Sequence, residues 1–335
     1  MKSVSSSNDR FVPSSRTRYS AGENGRILVS GVLVLLVVAT AVGLALSRRA
    51  RTEEARATIA NLNARIRAWW AMVVIFTVAV WTGGIGSIVL FALMSLLALR
   101  EFVTLAPTRR EDHRTLLWSF FAVLPLQYYL IAIRWYGLFA IMIPVYAFVL
   151  VAVSNVIAGR TDRFLERTAT IHWGLMVCVY CVSYAPALLI LDIPGYRTNA
   201  KLLVFLVLVV QISDVLQYVF GKLFGKHPIA PSISPNKTWE GFVGGVATAS
   251  LVGTAIWWAT PFTPVVALAM SVAVTLAGFA GGLVMSAIKR DRGVKDYGTL
   301  VEGHGGILDR IDAVCFAAPV FYHFTRYWLY FNGYL

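Results

Sequence analysis

Residues 27–47 read Ile27-Leu-Val-Ser-Gly-Val-Leu-Val-Leu-Leu-Val-Val-Ala-Thr-Ala-Val-Gly-Leu-Ala-Leu-Ser47, and Arg48-Arg49-Ala50-Arg51 follows directly. This uncharged run is as long as a helix that crosses a bilayer, which takes about 20 residues. Hydrocarbon offers no partners to backbone N–H and C=O groups, so a spanning segment must pair them internally, as a helix does. A cleaved signal peptide has a shorter apolar core, about 7–15 residues, and a small-residue cleavage site. The arginine cluster after Ser47 therefore favours an uncleaved anchor.

The same pattern recurs along the chain. Apolar runs read as spans over 115–132, 136–157, 169–193, 201–220, 241–260, 264–287 and 313–333. Residues 69–99 are also apolar but are interrupted by Thr82-Gly83-Gly84-Ile85-Gly86-Ser87. Glycine supplies turn conformations at little cost, so this segment reads as two short helices forming a hairpin. One long tilted helix is the competing reading. Pro125, Pro144 and Pro186 lie within spans, where proline is better tolerated than in soluble helices. The expected fold is an all-α, polytopic transmembrane helical bundle of about ten spans. Composition agrees: of 335 residues, 58% are hydrophobic and 14% charged, against about 45–50% and about 25% in a soluble domain. A β-barrel needs short alternating strands, and no such pattern dominates.

Residues 1–26 are polar and rich in Ser and Arg, which reads as a disordered tail. Residues 50–68 favour a helix with Ile59, Leu62 and Ile66 on one stripe. A helix on the membrane surface and a plain helical linker fit equally. The chain thus divides into residues 1–68 (tail, extra anchor and amphipathic linker) and a membrane domain over 69–335.

Net charge is +13. With the 69–99 hairpin, the loops 48–68, 100–114, 158–168, 221–240 and 288–312 share one side and hold most of the basic residues, among them Arg109, Arg160, Lys222, Lys237 and Lys289. The positive-inside rule makes that side cytoplasmic. The expected location is a bacterial inner membrane with these loops in the cytoplasm. Most of the excess charge reads as loop charge beside anionic headgroups. Nucleic acid is not expected as a partner, since no basic face on a soluble domain is visible. Cys178, Cys181 and Cys315 lie in apolar runs and read as small buried residues, with no disulfide framework.

Two charged motifs break the apolar pattern. In the first, Asp214 and Gln217 end a span as i and i+3, on one helix face. An acid at that depth is costly and faces a polar cavity. Gly221-Lys222, Gly225-Lys226 and Ile233-Ser234-Pro235-Asn236-Lys237-Thr238-Trp239-Glu240-Gly241 follow. Ser234, Lys237 and Thr238 offer hydroxyls and a cation just before a helix start, which favours anions. Taken singly, Ser234 and Thr238 read as helix caps and Lys222 as a loop positive. The second motif changes that balance.

The second motif runs from Ser286 to Asp312. Lys289, Arg290, Arg292 and Lys295 suit phosphates. Asp309 and Asp312 are i and i+3 on one helix face and can share a divalent cation. Magnesium fits, being held by one or two carboxylates plus substrate phosphates. His304-Gly305-Gly306 lets backbone approach a ligand. Ser286-Ala-Ile-Lys289 also matches the SxxK nucleophile pair of some hydrolases, but the partner motifs are absent.

Ser286-x-Ile288-Lys289-Arg290, Lys295-Asp296-x-Gly298 and His304-Gly305-Gly306-Ile307-x-Asp309-Arg310-Ile311-Asp312 resemble the signature of the CTP:phosphatidate cytidylyltransferases, the CDP-diacylglycerol synthases. Asp214 to Tyr218, Gly221-Lys222 and Ile233 to Gly241 resemble the family in the same order. The resemblance covers roughly residues 70–333. It implies transfer of a cytidylyl group from CTP to phosphatidate, giving CDP-diacylglycerol and pyrophosphate. Magnesium is then the expected cofactor, on Asp309 and Asp312. Lys289, Lys295, Asp296, Asp309 and Asp312 become candidate catalytic residues. Asp214, Lys222, Ser234, Lys237, Thr238, Ser286, Arg290, His304, Gly305, Gly306 and Arg310 become candidate substrate-binding residues. CTP, phosphatidate and membrane lipid are the expected partners, and a homodimer stays open.

Three positions depart from the family pattern: Val301-Glu302, Gln217 in place of Ala, and Gly281-Gly282-Leu283 in place of Gly-Asp-Leu. The Asp that Gly282 replaces looks like a metal ligand in the family. The alternatives are a non-catalytic lipid- or nucleotide-binding relative, or an enzyme using another lipid phosphate or nucleotide. A transporter fits less well, because the ionisable residues cluster in loops rather than at mid-membrane.

Overall fold

The computed structural model describes residues 21–49, 52–106, 112–159, 161–194, 196, 199–300 and 305–334. They form a bundle of ten helical segments. α1 spans Ala21–Arg49, α2 Glu53–Trp81 and α3 Gly83–Leu105. α4 spans His113–Ala132, α5 Tyr136–Ile157 and α6 Phe164–Ile190. α7 spans Ala200–Phe224, α8 Trp239–Ala255, α9 Pro264–Asp291 and α10 Leu308–Phe331. Eight of them, α1 to α7 and α9, are long and apolar enough to cross a membrane. The shorter α8 and the more polar α10 pack among them.

The corner at Thr82 is sharp. Gly83 takes φ +86°, and the Ser87 hydroxyl donates to Ala79 O at 3.1 Å. Eight residues along a straight helix would separate those groups by about 12 Å. The 69–99 segment is therefore two helices, not one. They are longer than a short hairpin: α2 starts at Glu53 and absorbs the amphipathic segment. No Gly or Pro lies between Glu53 and Trp81 to stop it. α1 pairs antiparallel with α2, where Trp70 Nε1 donates to Thr40 Oγ1 at 3.1 Å. Of the disordered-tail reading of 1–26, residues 21–26 instead begin the α1 helix, and the rest lies outside the described residues.

α4, α5 and α6 each contain a π-helical turn, at Ser119–Val123, Met142–Ala147 and Met176–Cys181. Pro125, Pro144 and Pro186 follow or sit within these turns. Proline removes one N–H and its ring crowds the preceding turn, and a widened turn relieves both. Tyr184, Phe139, Phe205, Phe262 and Phe321 are the largest fully buried side chains at the centre.

α7 and α8 cross on glycines. A Cβ at Gly241 would stand 2.7 Å from Gln217 O, and one at Gly245 2.7 Å from Gln217 N. Only hydrogen at those positions lets the backbones approach so closely. Between α7 and α8 lies a small antiparallel hairpin, β1 (Pro228–Ala230) and β2 (Ser234–Thr238), with Ala230 opposite Ser234.

Helix ends sort onto two sides. The end of α3 meets the start of α10, the hairpin meets the end of α9, and Asp112 before α4 pairs with Arg167 of α6. Both members of that pair are buried, at 4% and 1% side-chain exposure. On the other side Tyr196 donates to Ala259 O at 2.6 Å, and Arg326 lies 3.7 Å over the Tyr136 ring. Both motif loops are thus on one side.

Candidate active site

The site forms where α7, β2, α9 and α10 converge. α9 delivers Lys289 in its last turn, and α10 delivers Asp309 in its first. Lys289 Nζ donates to Asp309 Oδ1 at 2.8 Å, with both side chains largely buried. The other Asp309 oxygen accepts from Tyr297 N at 2.8 Å and Gly306 N at 2.9 Å. Gly305 sits at φ +83°, and a Cβ there would lie 2.7 Å from Asp309 Oδ2. Asp309 thus ties the Tyr297 segment, Gly306 and Lys289 to the start of α10.

Asp312, one turn on, shares the Lys289 charge with Asp309. It faces Asp214 of α7 and Lys237 of β2 electrostatically, and Arg310 acts on Asp214. Asp312 Oδ1 also accepts from Ala313 N at 2.8 Å. The i, i+3 spacing holds, and Lys289 serves both carboxylates. Asp309 takes three donors, and Asp312 also has Lys237 and a second carboxylate, Asp214, in its surroundings.

Lys237 reaches in from the hairpin. Its Nζ lies 4.8 Å over the Phe279 ring. A Cβ at Gly282 would stand 2.9 Å from the same Nζ. The ammonium therefore adjoins the space that a side chain at 282 would take. Burial lowers the Lys237 pKa and nearby Lys289 adds to this, while Asp214 and Asp312 oppose it.

The other sequence-derived residues are placed as follows. Thr238 caps α8, its Oγ1 accepting from Gly241 N at 3.2 Å. Ser234 pairs with Ala230 in the hairpin. The Ser286 hydroxyl donates to Gly282 O at 2.6 Å, within its own helix. Arg290 bonds Ile233 O at 3.2 Å and Val294 O at 3.0 Å, linking the two motifs. Lys295 and Asp296 are exposed, and the Asp296 Cβ lies 3.1 Å from the Cβ position of Gly305. Lys222 is exposed beside Tyr218 rather than in the cluster. His304 lies outside the described residues.

Two residues carry contacts that the sequence did not flag. Glu240 Oε1 sits 2.6 Å from His227 Nδ1, and Oε2 accepts from Lys226 N at 3.1 Å. The His227 bond leads in holding the Glu240 carboxyl down at about 2. Glu101 of α3 is buried at 6% exposure and accepts from Ile307 N at 3.0 Å and Leu308 N at 2.9 Å. Its only sequence signal is an acid at the end of an apolar run. A cavity of about 310 Å³ opens beside the site, between Phe102 and Leu105 of α3, Trp173 of α6, Ile288 and Arg292. Tyr297 lines it, and Lys289 Nζ lies 5.4 Å from that ring.

Among the described residues no group of three His, Cys, Asp or Glu side chains could hold a metal. Asp214, Asp309 and Asp312 offer only carboxylate oxygens, the donors of which magnesium takes one or two while leaving the rest of its shell to water and phosphates.

Comparisons with known proteins agree on one family. The sequence model of the "Cytidylyltransferase family" matches residues 63–328. An Escherichia coli K12 protein called "Uncharacterized protein YnbB" is 39% identical over 271 residues, covering 81% of this chain and 89% of its own. A Staphylococcus aureus COL protein named phosphatidate cytidylyltransferase is 35% identical over 193 residues, 55% of this chain and 74% of its own. A Mycobacterium leprae protein of the same name is 43% identical over 140 residues, 38% of this chain and 45% of its own.

Proposed function

The chain belongs to the cytidylyltransferase family, and from that premise we propose that it transfers the cytidylyl group of CTP to phosphatidate at the membrane surface. The products are CDP-diacylglycerol and pyrophosphate. One observation carries the reading: the two motifs, Asp214–Gly241 and Ser286–Asp312, meet in one cluster of Asp214, Lys237, Lys289, Asp309 and Asp312.

A lipid phosphate monoester has a second pKa of about 6 and is a nucleophile at neutral pH. No protein base is needed. A phosphatidate oxygen attacks the α-phosphorus of CTP, the α–β bridging P–O bond breaks, and its electron pair leaves with pyrophosphate. Catalysis is then alignment and charge stabilisation of an in-line displacement. Lys237 and Lys289 would neutralise phosphate oxygens, and Arg290 would hold the two motif loops together. Asp312 and Asp214 would hold magnesium, with Asp309 positioning Lys289 beside them. A bound divalent cation would supply neutralisation of the reacting phosphates. The cavity beside Tyr297 would take apolar parts of the lipid, entering sideways between helices. The loops would face the cytoplasm, where CTP is found.

The test is a substrate panel on purified protein with magnesium: CTP against dCTP and other triphosphates, and phosphatidate against other phospholipid headgroups. CTP with phosphatidate should give the fastest pyrophosphate release. Binding without turnover on every pair favours the second reading, a non-catalytic relative. The placement of Lys237 Nζ beside the bare Gly282 is the observation that keeps that reading open.

A further inference from the structure

We propose that Glu101 is a positioning residue of the site, a carboxylate sent from α3 to fix the first turn of α10. The start of α10 lacks a side-chain cap of its own: Ile307 occupies the N-cap position and makes no such bond. A helix start leaves several N–H groups without intrahelical partners. Here two of them, Ile307 N and Leu308 N, are met by the two oxygens of Glu101, from 206 and 207 residues away.

The Glu101 carboxylate is buried, which is costly for a charge unless it is bonded. The paired N–H groups and the positive end of the helix dipole offset that cost. Two motif glycines make the approach feasible. A Cβ at Gly298 would stand 2.8 Å from Glu101 Oε1, and a Cβ at Gly306 would collide with Oε2. These glycines open space for a carboxylate of another helix.

Asp309 is the next residue after Leu308, and its own contacts run to Tyr297 N and Gly306 N. Glu101 and Asp309 therefore grip the same short segments from opposite ends. A shift of the first turn of α10 moves Asp309, its partner Lys289, and Asp312 one turn on. Glu101 touches no reacting atom in this arrangement; it acts through these three.

The test compares Glu101→Ala and Glu101→Gln in the full chain, in detergent. Hydrogen exchange reads the peptides that contain Tyr297 and Ile307–Leu308. Turnover of CTP and phosphatidate gives the kinetic arm, which rests on the proposed transferase reading. With Glu101→Ala, exchange at those peptides should rise while the rest of the chain is unchanged. kcat should fall about 100-fold, the scale of an ångström-level misplacement, with KM for CTP nearly constant. Glu101→Gln keeps the shape and one acceptor oxygen, so it should fall between the two. It also covers the case in which the alanine variant does not fold. Wild-type exchange at those peptides in either folded variant overturns the proposal, as does wild-type kcat in both. If the parent protein shows no turnover, the transferase reading fails and the exchange arm still decides the role of Glu101.

Discussion

Lys289 and Asp309 stand 2.8 Å apart where α9 ends and α10 begins, with side-chain exposures of 12% and 3%. The pair joins the basic half of the second motif to its acidic half. Lys289→Met leaves a buried carboxylate with its two N–H donors but without its cation. Breaking a buried pair in this way costs about 3–5 kcal/mol. The variant should melt earlier in a thermal scan and lose at least about 100-fold in turnover. Lys289→Arg should keep the stability better than the activity, because guanidinium geometry differs from a point ammonium.

Asp312 and Asp214 face each other and Lys237. If they hold magnesium, Asp312→Asn and Asp214→Asn should each raise the magnesium concentration for half-maximal turnover by about tenfold or more, since ligand charge sets affinity in such sites. Asp309→Asn should lower both stability and turnover through loss of the Lys289 pair, with a smaller change in magnesium requirement. A magnesium titration of the three variants separates the roles.

Gly282 leaves room beside Lys237 Nζ, which lies 2.9 Å from the position of a Cβ there. The neighbour is the tip of a flexible side chain, so Gly282→Asp should fold with near-parental stability. The new carboxylate would draw Lys237 into an ion pair and add an oxygen ligand to the cluster. The expected result is a lower magnesium requirement in the same titration. An unchanged requirement would place residue 282 outside the metal's reach.

Gly245 packs on Gln217 at the α7–α8 crossing, where a Cβ would stand 2.7 Å from the Gln217 backbone nitrogen. Backbone cannot give way as a side-chain tip does. Gly245→Ala should force the helices apart and cost about 1–3 kcal/mol, the range for overpacking. Unfolding in detergent with denaturant measures it directly.

The bundle was legible because each span is a long apolar run, and the corner at Thr82 because glycines cluster there. The start of α2 was not, since a polar segment without Gly or Pro gives no sign that it continues into the next span. The β-hairpin was hidden by Pro228, Pro231 and Pro235, which read as loop. The motif residues Asp214, Lys237, Lys289, Asp309 and Asp312 were all visible by type and spacing. Their partners were not, because Lys289 of α9 reaches both Asp309 and Asp312 while the N–H groups of Tyr297 and Gly306 bond Asp309. Glu101 lay beyond any local pattern: its partners are more than 200 residues away.

The central claim is that this cluster joins a lipid phosphate to a cytidylyl group. The most direct measurement mixes purified protein, magnesium, CTP labelled in the base and phosphatidate in mixed micelles, and follows label entering the lipid phase alongside pyrophosphate release. The account predicts labelled CDP-diacylglycerol and pyrophosphate in equal amounts, both reduced together in Asp312→Asn at limiting magnesium. Pyrophosphate without labelled lipid, or neither product while CTP and phosphatidate both bind, would contradict it.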